Sequence, residues 1–209
     1  MAGGWWDRNV VPRLIRCACA APGIMDLRAK VVPQARGAVF ELGCGGGLNQ
    51  RFYDTQSVTS FAGLDPSPMG LEQARGEAAR KGWQADLREG LGEAIPFEDA
   101  RFDTAVCTYT LCSVHQPERV LAELARVLKP GGTLLFLEHG AAPDAGVAKW
   151  QGRIEPLWTR MMGGCHLTRP VTSSVARAGF AVSPQGQGYM AKTPRFAGWM
   201  EWGAAVRPG

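Results

Sequence analysis

The 209-residue sequence predicts an α/β fold: a doubly wound, mostly parallel sheet with helices on both faces. Three observations carry that expectation. Short apolar, β-prone runs alternate with helical stretches from Ala38 to His139, the pattern that builds parallel strands joined by crossover helices. One of these runs, Val39–Leu42, passes through Glu41 into glycines at 43, 45 and 47, where the backbone must approach a ligand closely or take φ values open to glycine. Another, Phe61–Leu64, ends on Asp65, 22 residues after Gly43.

Taken in order, residues 1–37 read as a helical leader. Asn9 caps a helix to about Ala20, with Pro12 tolerated in its first turn. Val10, Val11, Leu14, Ile15 and Ala18 share one face, Arg13 and Arg16 lie opposite, and Trp5 and Trp6 come before. Three readings stay open for it: a lid over the ligand site, a covering helix on the core, or a helix lying in a lipid interface. Strands are expected at 38–42, 60–64, 83–88, 103–108 and 133–138, and helices at 48–53, 69–81, 117–128 and within 144–162. The helix over 48–53 would turn its free N–H groups toward the ligand space. Asp65 suits the hydroxyls of a ribose over the neighbouring strand end, or caps the helix that starts near Met69. Lys129-Pro130-Gly131-Gly132 is a turn before the fifth strand. A helix at 172–178 and strands near 180–184 and 202–207 complete seven strands in a single domain.

Composition bounds the reading. A chain that is 45% hydrophobic buries one core. No run approaches 18 apolar residues, and Arg13 and Arg16 interrupt the one stretch that could serve as a signal peptide. Six cysteines (17, 19, 44, 107, 112 and 165) show no C-x-x-C pairing, so a reduced, cytoplasmic chain is expected. No metal is expected, because histidines 115, 139 and 166 lack ligand spacing. The net charge is +4; residues 1–37 carry six basic side chains against two acidic ones. That leader suits reversible contact with an anionic membrane surface, or is a solvated helix face. A dinucleotide site is excluded, since the third glycine of G-x-G-x-x-G would fall on Leu48. Nucleic acid is not an expected partner: there is no Asn/Asp-Pro-Pro-aromatic motif and no groove-sized basic patch. Nor is an obligate protein partner expected.

The E-x-G-x-G-x-G at Glu41–Gly47 resembles the first motif of class I S-adenosylmethionine-dependent methyltransferases. Gly90–Phe97, Arg101–Asp103 and Arg126–Thr133 follow in the order of that family's later motifs, in its ubiquinone-biosynthesis-type branch. Val106–Val114, Glu138-His139 and Gly164–Arg169, with Val11–Arg13 and Phe52-Tyr53, are similar to the animal methyltransferase-like enzymes that S-methylate alkyl thiols. The resemblance implies a Rossmann-like seven-stranded sheet with an antiparallel last strand, divided into leader (1–37), cofactor-binding half (38–139) and substrate side (140–209). It also implies S-adenosylmethionine as methyl donor. The donor would be held by Glu41, Gly43, Cys44, Gly45, Gly47, Asn49, Asp65, Pro66 and Ser67, with Leu91, Gly92, Glu93, Cys107 and Thr108 further along. Two departures stand out. Leu91 replaces the acid that often meets the adenine amino group, and the apolar N-terminal anchor of the animal enzymes is not matched in length.

Methyl transfer from a sulfonium asks mainly for alignment and water exclusion. Thiols suit it, because a pKa of about 8.5 leaves a few per cent thiolate near neutrality. His139, at the end of the fifth strand, is the candidate to take or steer the acceptor's proton, or is a histidine bonded within the fold. Tyr109, Trp158, Met161, His166 and Arg169 are the candidates for a substrate pocket. A small lipophilic thiol is the expected acceptor. A phospholipid amine or a quinone hydroxyl is the alternative, and a non-catalytic donor-binding module that regulates a partner is the alternative from another class.

Overall fold

The computed structural model describes residues 19–209. The expected leader helix and its two tryptophans lie outside them, apart from the helix's last two residues. In order, the elements are α1 (Pro22–Val31), β1 (Gly37–Leu42), β2 (Val58–Asp65), α2 (Pro68–Arg80), β3 (Asp86–Glu89), β4 (Phe102–Thr108), α3 (Pro117–Val127), β5 (Leu128–His139), α4 (Ala145–Met161), α5 (Val171–Arg177), β6 (Ala181–Tyr189), α6 (Arg195–Gly198) and β7 (Trp199–Val206).

The strands form one sheet in the order β3-β2-β1-β4-β5-β7-β6. β1 to β5 pair in parallel, and β7 runs antiparallel to both β5 and β6. Strand order reverses between β1 and β4, so the loops after these two strands diverge and leave a crevice. Successive side chains divide the core into two layers. Phe40, Leu64, Ala105 and Phe136 pack beneath Val120, Leu121 and Leu124 of α3. Val39, Phe61, Val106 and Leu135 pack on the other face against Leu27 and Val31 of α1. Burying each such side chain is worth about 1.5–3 kcal/mol. In α1 the buried residues Ile24, Leu27, Arg28 and Val31 recur at helical spacing, with Pro22 in the first turn. This part of the leader is a covering helix.

Four expectations need correction. Residues 48–53 do not form an α-helix; only Gln50–Phe52 make a 3₁₀ turn, because the chain is committed to tight bends at Gly43, Gly45 and Gly47, all with positive φ. No helix N-terminus faces the crevice there. β3 starts at Asp86, since Trp83 turns aside to stack on Phe61 and pack against Tyr53. Pro130-Gly131-Gly132 is a bulge inside β5: Phe102 pairs with Leu128 and Thr104 already with Thr133. β7 begins at Trp199, earlier than expected.

Candidate active site

A cavity of about 810 Å³ opens beyond the carboxyl ends of β1, β2 and β4. That volume suits a ligand of cofactor size. After β1 it is lined by Gly43–Gly46 and Leu48, after β2 by Asp65–Ser67, Met69 and Gly70, and after β4 by Tyr109, Thr110 and Ser113. Cys19, Ala20, Arg28, Met162 and Gly163 close the far side.

The glycine loop is pinned by its neighbours. Gly45 N donates to Asp65 Oδ2 and Ser67 N to Asp65 Oδ1, each at 2.8 Å. Burial pushes the Asp65 carboxyl up, and these two N–H groups oppose the shift. The cap of α2 is Ser67, whose hydroxyl accepts from Gly70 N at 3.2 Å. Asp65 therefore does not cap the helix; it holds the loop and lines the cavity. Space is tightest at Gly43, where a Cβ would stand 2.0 Å from Thr110 Oγ1 on a backbone with φ of 70°.

Behind the loop lies a buried polar network. Glu41 accepts from Asn49 Nδ2 and from the Tyr53 hydroxyl, each at 2.8 Å, and burial raises its pKa to about 7. Arg28, only 4% exposed, donates to Asn49 Oδ1 at 2.6 Å and Thr108 Oγ1 at 2.5 Å. Its guanidinium lies 4.9 Å from the Tyr109 ring centroid, and its Nε has no partner among the described residues. Arg28 is thus no part of a solvated basic face of the leader; its register with Ile24, Leu27 and Val31 is the signal that it points inward.

Glu138 is the other buried charge behind the cavity. It is fully buried, and its carboxylate accepts from the backbone N–H of Thr110 (2.9 Å), Leu111 (3.0 Å) and Cys112 (3.1 Å). Burial raises its pKa against these bonds. They stabilise the turn in which Tyr109 takes φ of 56°, costly for a non-glycine residue, and faces the cavity. A lone acid closing an otherwise apolar strand was the visible hint.

Of the expected donor contacts, Glu41, Gly43, Cys44, Gly45, Asp65, Pro66, Ser67 and Thr108 line the cavity. Gly47, Asn49, Leu91, Gly92, Glu93 and Cys107 do not. Gly47 packs on α2, and Asn49 works one layer back, through Glu41 and Thr108. Cys107 is buried with its sulfur 3.5 Å from Glu138. Gly92 packs near Leu42 and Val120, Leu91 is 54% exposed, and Glu93 accepts the N–H groups of His115 and Gln116 at 3.0 Å. His139 is not in the lining; the side chain that touches the cavity there is Tyr109, whose ring meets the His139 ring at 5.2 Å. Of the expected substrate pocket only Tyr109 lines the cavity. Trp158 packs inward against Cys112, Cys165 and Leu167, whereas Met161, the last residue of α4, is 60% exposed. His166 pairs with Glu155 at 2.9 Å, and Arg169 donates to Leu111 O at 2.5 Å beside a second, smaller cavity. Their neighbours Met162 and Gly163 take the place at the wall.

The family described as "Methyltransferase domain" matches residues 40–136. The chain is 37% identical over 148 residues to the thiol S-methyltransferase TMT1B of Rattus norvegicus, covering 68% of this chain and 59% of that protein. It is 34% identical over 124 residues to a phosphatidylethanolamine N-methyltransferase of Cereibacter sphaeroides, covering 57% of this chain and 60% of that one. It thus spans about three fifths of the length of these relatives. Among solved structures, the YcgJ protein of Bacillus subtilis superposes with a TM-score of 0.72 at 16% identity, over 88% of this chain and 98% of that one, a likeness of fold. No helix among the described residues is long and apolar enough to cross a membrane.

Proposed function

We propose that this chain transfers a methyl group from S-adenosylmethionine to a small lipophilic thiol, a reading supported by the match of residues 40–136 to the family described as "Methyltransferase domain". The observation that supports the donor site best is the glycine loop bonded to Asp65 at the mouth of a cofactor-sized cavity. The residues present fit the donor. Asp65 keeps lone pairs for ribose hydroxyls, and Gly43–Gly46 let backbone N–H and C=O approach. Glu41 and Arg28 offer opposite charges to an α-ammonium and an α-carboxylate.

When bound, S-adenosylmethionine supplies a methyl group already activated by its sulfonium charge. The chain's own residues align and shield. Tyr109, held in place by the turn that Glu138 stabilises and by its contact with Arg28, forms the wall on the acceptor side with Thr110 and Ser113. Leu48, Met69 and Met162 exclude water. No histidine lines the cavity, so the acceptor loses its proton to solvent through its own equilibrium. His139 contributes by packing against Tyr109. This favours acceptors that are partly ionised near neutrality, which thiols are and aliphatic alcohols are not.

Support for the thiol class is the 37% identity to a thiol S-methyltransferase. A second reading, a phospholipid amine presented at an anionic membrane surface, draws on the 34% identity to a phosphatidylethanolamine N-methyltransferase. Quinone hydroxyls are the remaining acceptor class, and binding of donor without turnover would make the chain a regulatory module. Mass spectrometry of products from matched thiol, amine and phenol acceptors separates these readings. Methylated thiol, at a rate that rises with pH to the acceptor's pKa, is the expected result. Methylation of amine or phenol with thiols untouched would overturn the acceptor class, and no product with any acceptor would overturn the enzyme.

A further inference from the structure

Away from the cavity lining, three segments distant in sequence bring soft ligand atoms to one point. Cys112 lies in the loop after β4, His139 ends β5, and Cys165 lies in the loop between α4 and α5. The two sulfurs and a ring nitrogen all fall within 4.8 Å of one another, and Cys165 Sγ stands 3.7 Å from His139 Nδ1. Spacing along the chain predicts no metal site, but the fold brings His139 to two cysteines that follow no ligand spacing. We propose that Cys112, His139 and Cys165 bind one thiophilic divalent cation of the zinc class.

The geometry suits that ion. Zn–S bonds of about 2.3 Å and Zn–N bonds of about 2.0 Å, at tetrahedral angles, separate ligand atoms by roughly 3.5–3.8 Å. The observed Cys165–His139 spacing already falls in that range, and the largest separation needs only small side-chain rotations. Two thiolates and one imidazole are a donor set that zinc takes with a fourth position left for a small molecule such as water. Without an ion the three groups meet poor partners, since a thiol is a weak donor and a weak acceptor. Yet Cys112 and Cys165 are 1% and 6% exposed.

The surroundings supply a second, independent observation. Trp158 packs against Cys112 and Cys165, and its buried indole Nε1–H, turned toward Cys165, makes no well-formed hydrogen bond among the described residues. An N–H left over beside two sulfurs is what metal-bound thiolates recruit as an outer-shell donor. Behind Cys112, the Glu138 carboxylate already orders its backbone N–H. The cation would join a loop that is otherwise attached by hydrogen bonds: His166 N to Cys112 O at 2.7 Å, Arg169 to Leu111 O, and Ala141 N to Arg169 O at 3.0 Å. Met162 and Gly163, which open this loop, line the cavity. The ion would therefore fasten the outer wall of the acceptor side to the ends of β4 and β5. Binding consumes both cysteines as thiolates and releases their protons to solvent.

The test is a cobalt(II) titration of the reduced, full chain under anaerobic conditions, with thiols counted beforehand, followed by displacement with zinc(II). It reads metal binding alone, so its outcome is independent of any methyl transfer. The proposal expects one equivalent of cobalt, with a sulfur-to-metal charge-transfer band and the visible bands of a tetrahedral site, both lost on adding one equivalent of zinc. Cys112→Ser, Cys165→Ser and His139→Ala should each weaken zinc by at least about tenfold, while Cys44→Ser, with its thiol in the donor loop, should bind as the parent does. Should a variant fail to fold, X-ray absorption of the zinc-loaded parent decides, with two sulfur and one imidazole neighbours expected. Absence of the charge-transfer band in the folded, fully reduced parent would overturn the site. So would affinity unchanged in a folded Cys165→Ser chain.

Discussion

At the donor end of the cavity, what meets a ligand is largely backbone, contributed by Gly43–Gly46 and by Asp65–Ser67, each a few consecutive residues at a strand end. At the proposed acceptor end it is side chains from segments far apart: Tyr109 after β4 and Met162 after α4. The donor end is specified locally, by glycine conformations and one carboxylate. The acceptor end is specified by tertiary packing, through the buried Glu138 carboxylate, which lies outside the cavity lining. Motif reading therefore reaches the first much more readily than the second. Damage should also differ: changes at the donor end cost affinity in an intact fold, and changes behind the acceptor end cost the fold first.

Glu138 gives the largest expected effect. Glu138→Ala leaves three N–H groups without an acceptor, those of Leu111 and Cys112 buried and that of Thr110 half-buried, each buried one worth about 1–3 kcal/mol. Urea unfolding should show at least about 3 kcal/mol lost, with turnover collapsing alongside. A loss under about 1 kcal/mol would mean that the turn at Tyr109 holds itself.

Next comes Gly43→Ala. A Cβ there would meet Thr110 Oγ1 at 2.0 Å on a backbone with φ of 70°. Donor affinity should fall at least about tenfold, from about 1–2 kcal/mol of backbone strain with the clash added. The secondary structure seen by circular dichroism should be retained. Unfolding of this variant would blur the contrast between the two ends, because it would place fold stability in the donor loop.

Arg28→Met keeps the apolar stem and removes the charge that Asn49 and Thr108 share. We expect S-adenosylhomocysteine to bind about three- to tenfold more weakly, about 0.6–1.4 kcal/mol, a fraction of the about 1.5–3 kcal/mol that a hydrogen bond to a charged group carries. Unaltered affinity in calorimetry would restrict Arg28 to packing.

The smallest effect is a pH dependence at Glu41, raised by burial to about 7. Between about pH 4.5 and 7 the folded state holds a proton that the unfolded chain has released, so this group's contribution to stability falls as pH rises through that window and levels off above it. A bound α-ammonium favours the carboxylate, so S-adenosylhomocysteine affinity should rise several-fold from pH 6 to pH 8. Glu41→Gln should flatten that rise. An equally steep rise in the variant would assign the titration elsewhere.

The contrast also explains what the sequence disclosed. Alternating strands and helices, the glycine loop and Asp65 were legible because each depends on neighbours in the chain. The helix expected at 48–53 failed because three positive-φ glycines and the buried Asn49 and Gln50 side chains commit that stretch to turns. His139, Trp158 and Met161 were chosen by residue type, but which way each points depends on packing between distant segments. Arg28 reaches the cavity wall from α1 and Glu138 holds the Tyr109 turn from beneath, and a buried charge reads in a sequence like an exposed one. Only their register with apolar neighbours distinguished them.

Calorimetric titration of S-adenosylhomocysteine into the parent chain and into Asp65→Ala tests the donor site most directly. The account predicts one site per chain, with affinity at least about tenfold weaker in the variant, since Asp65 holds Gly45 and is proposed to meet the ribose. Equal affinity in a folded Asp65→Ala chain, or no binding to the parent, would contradict it.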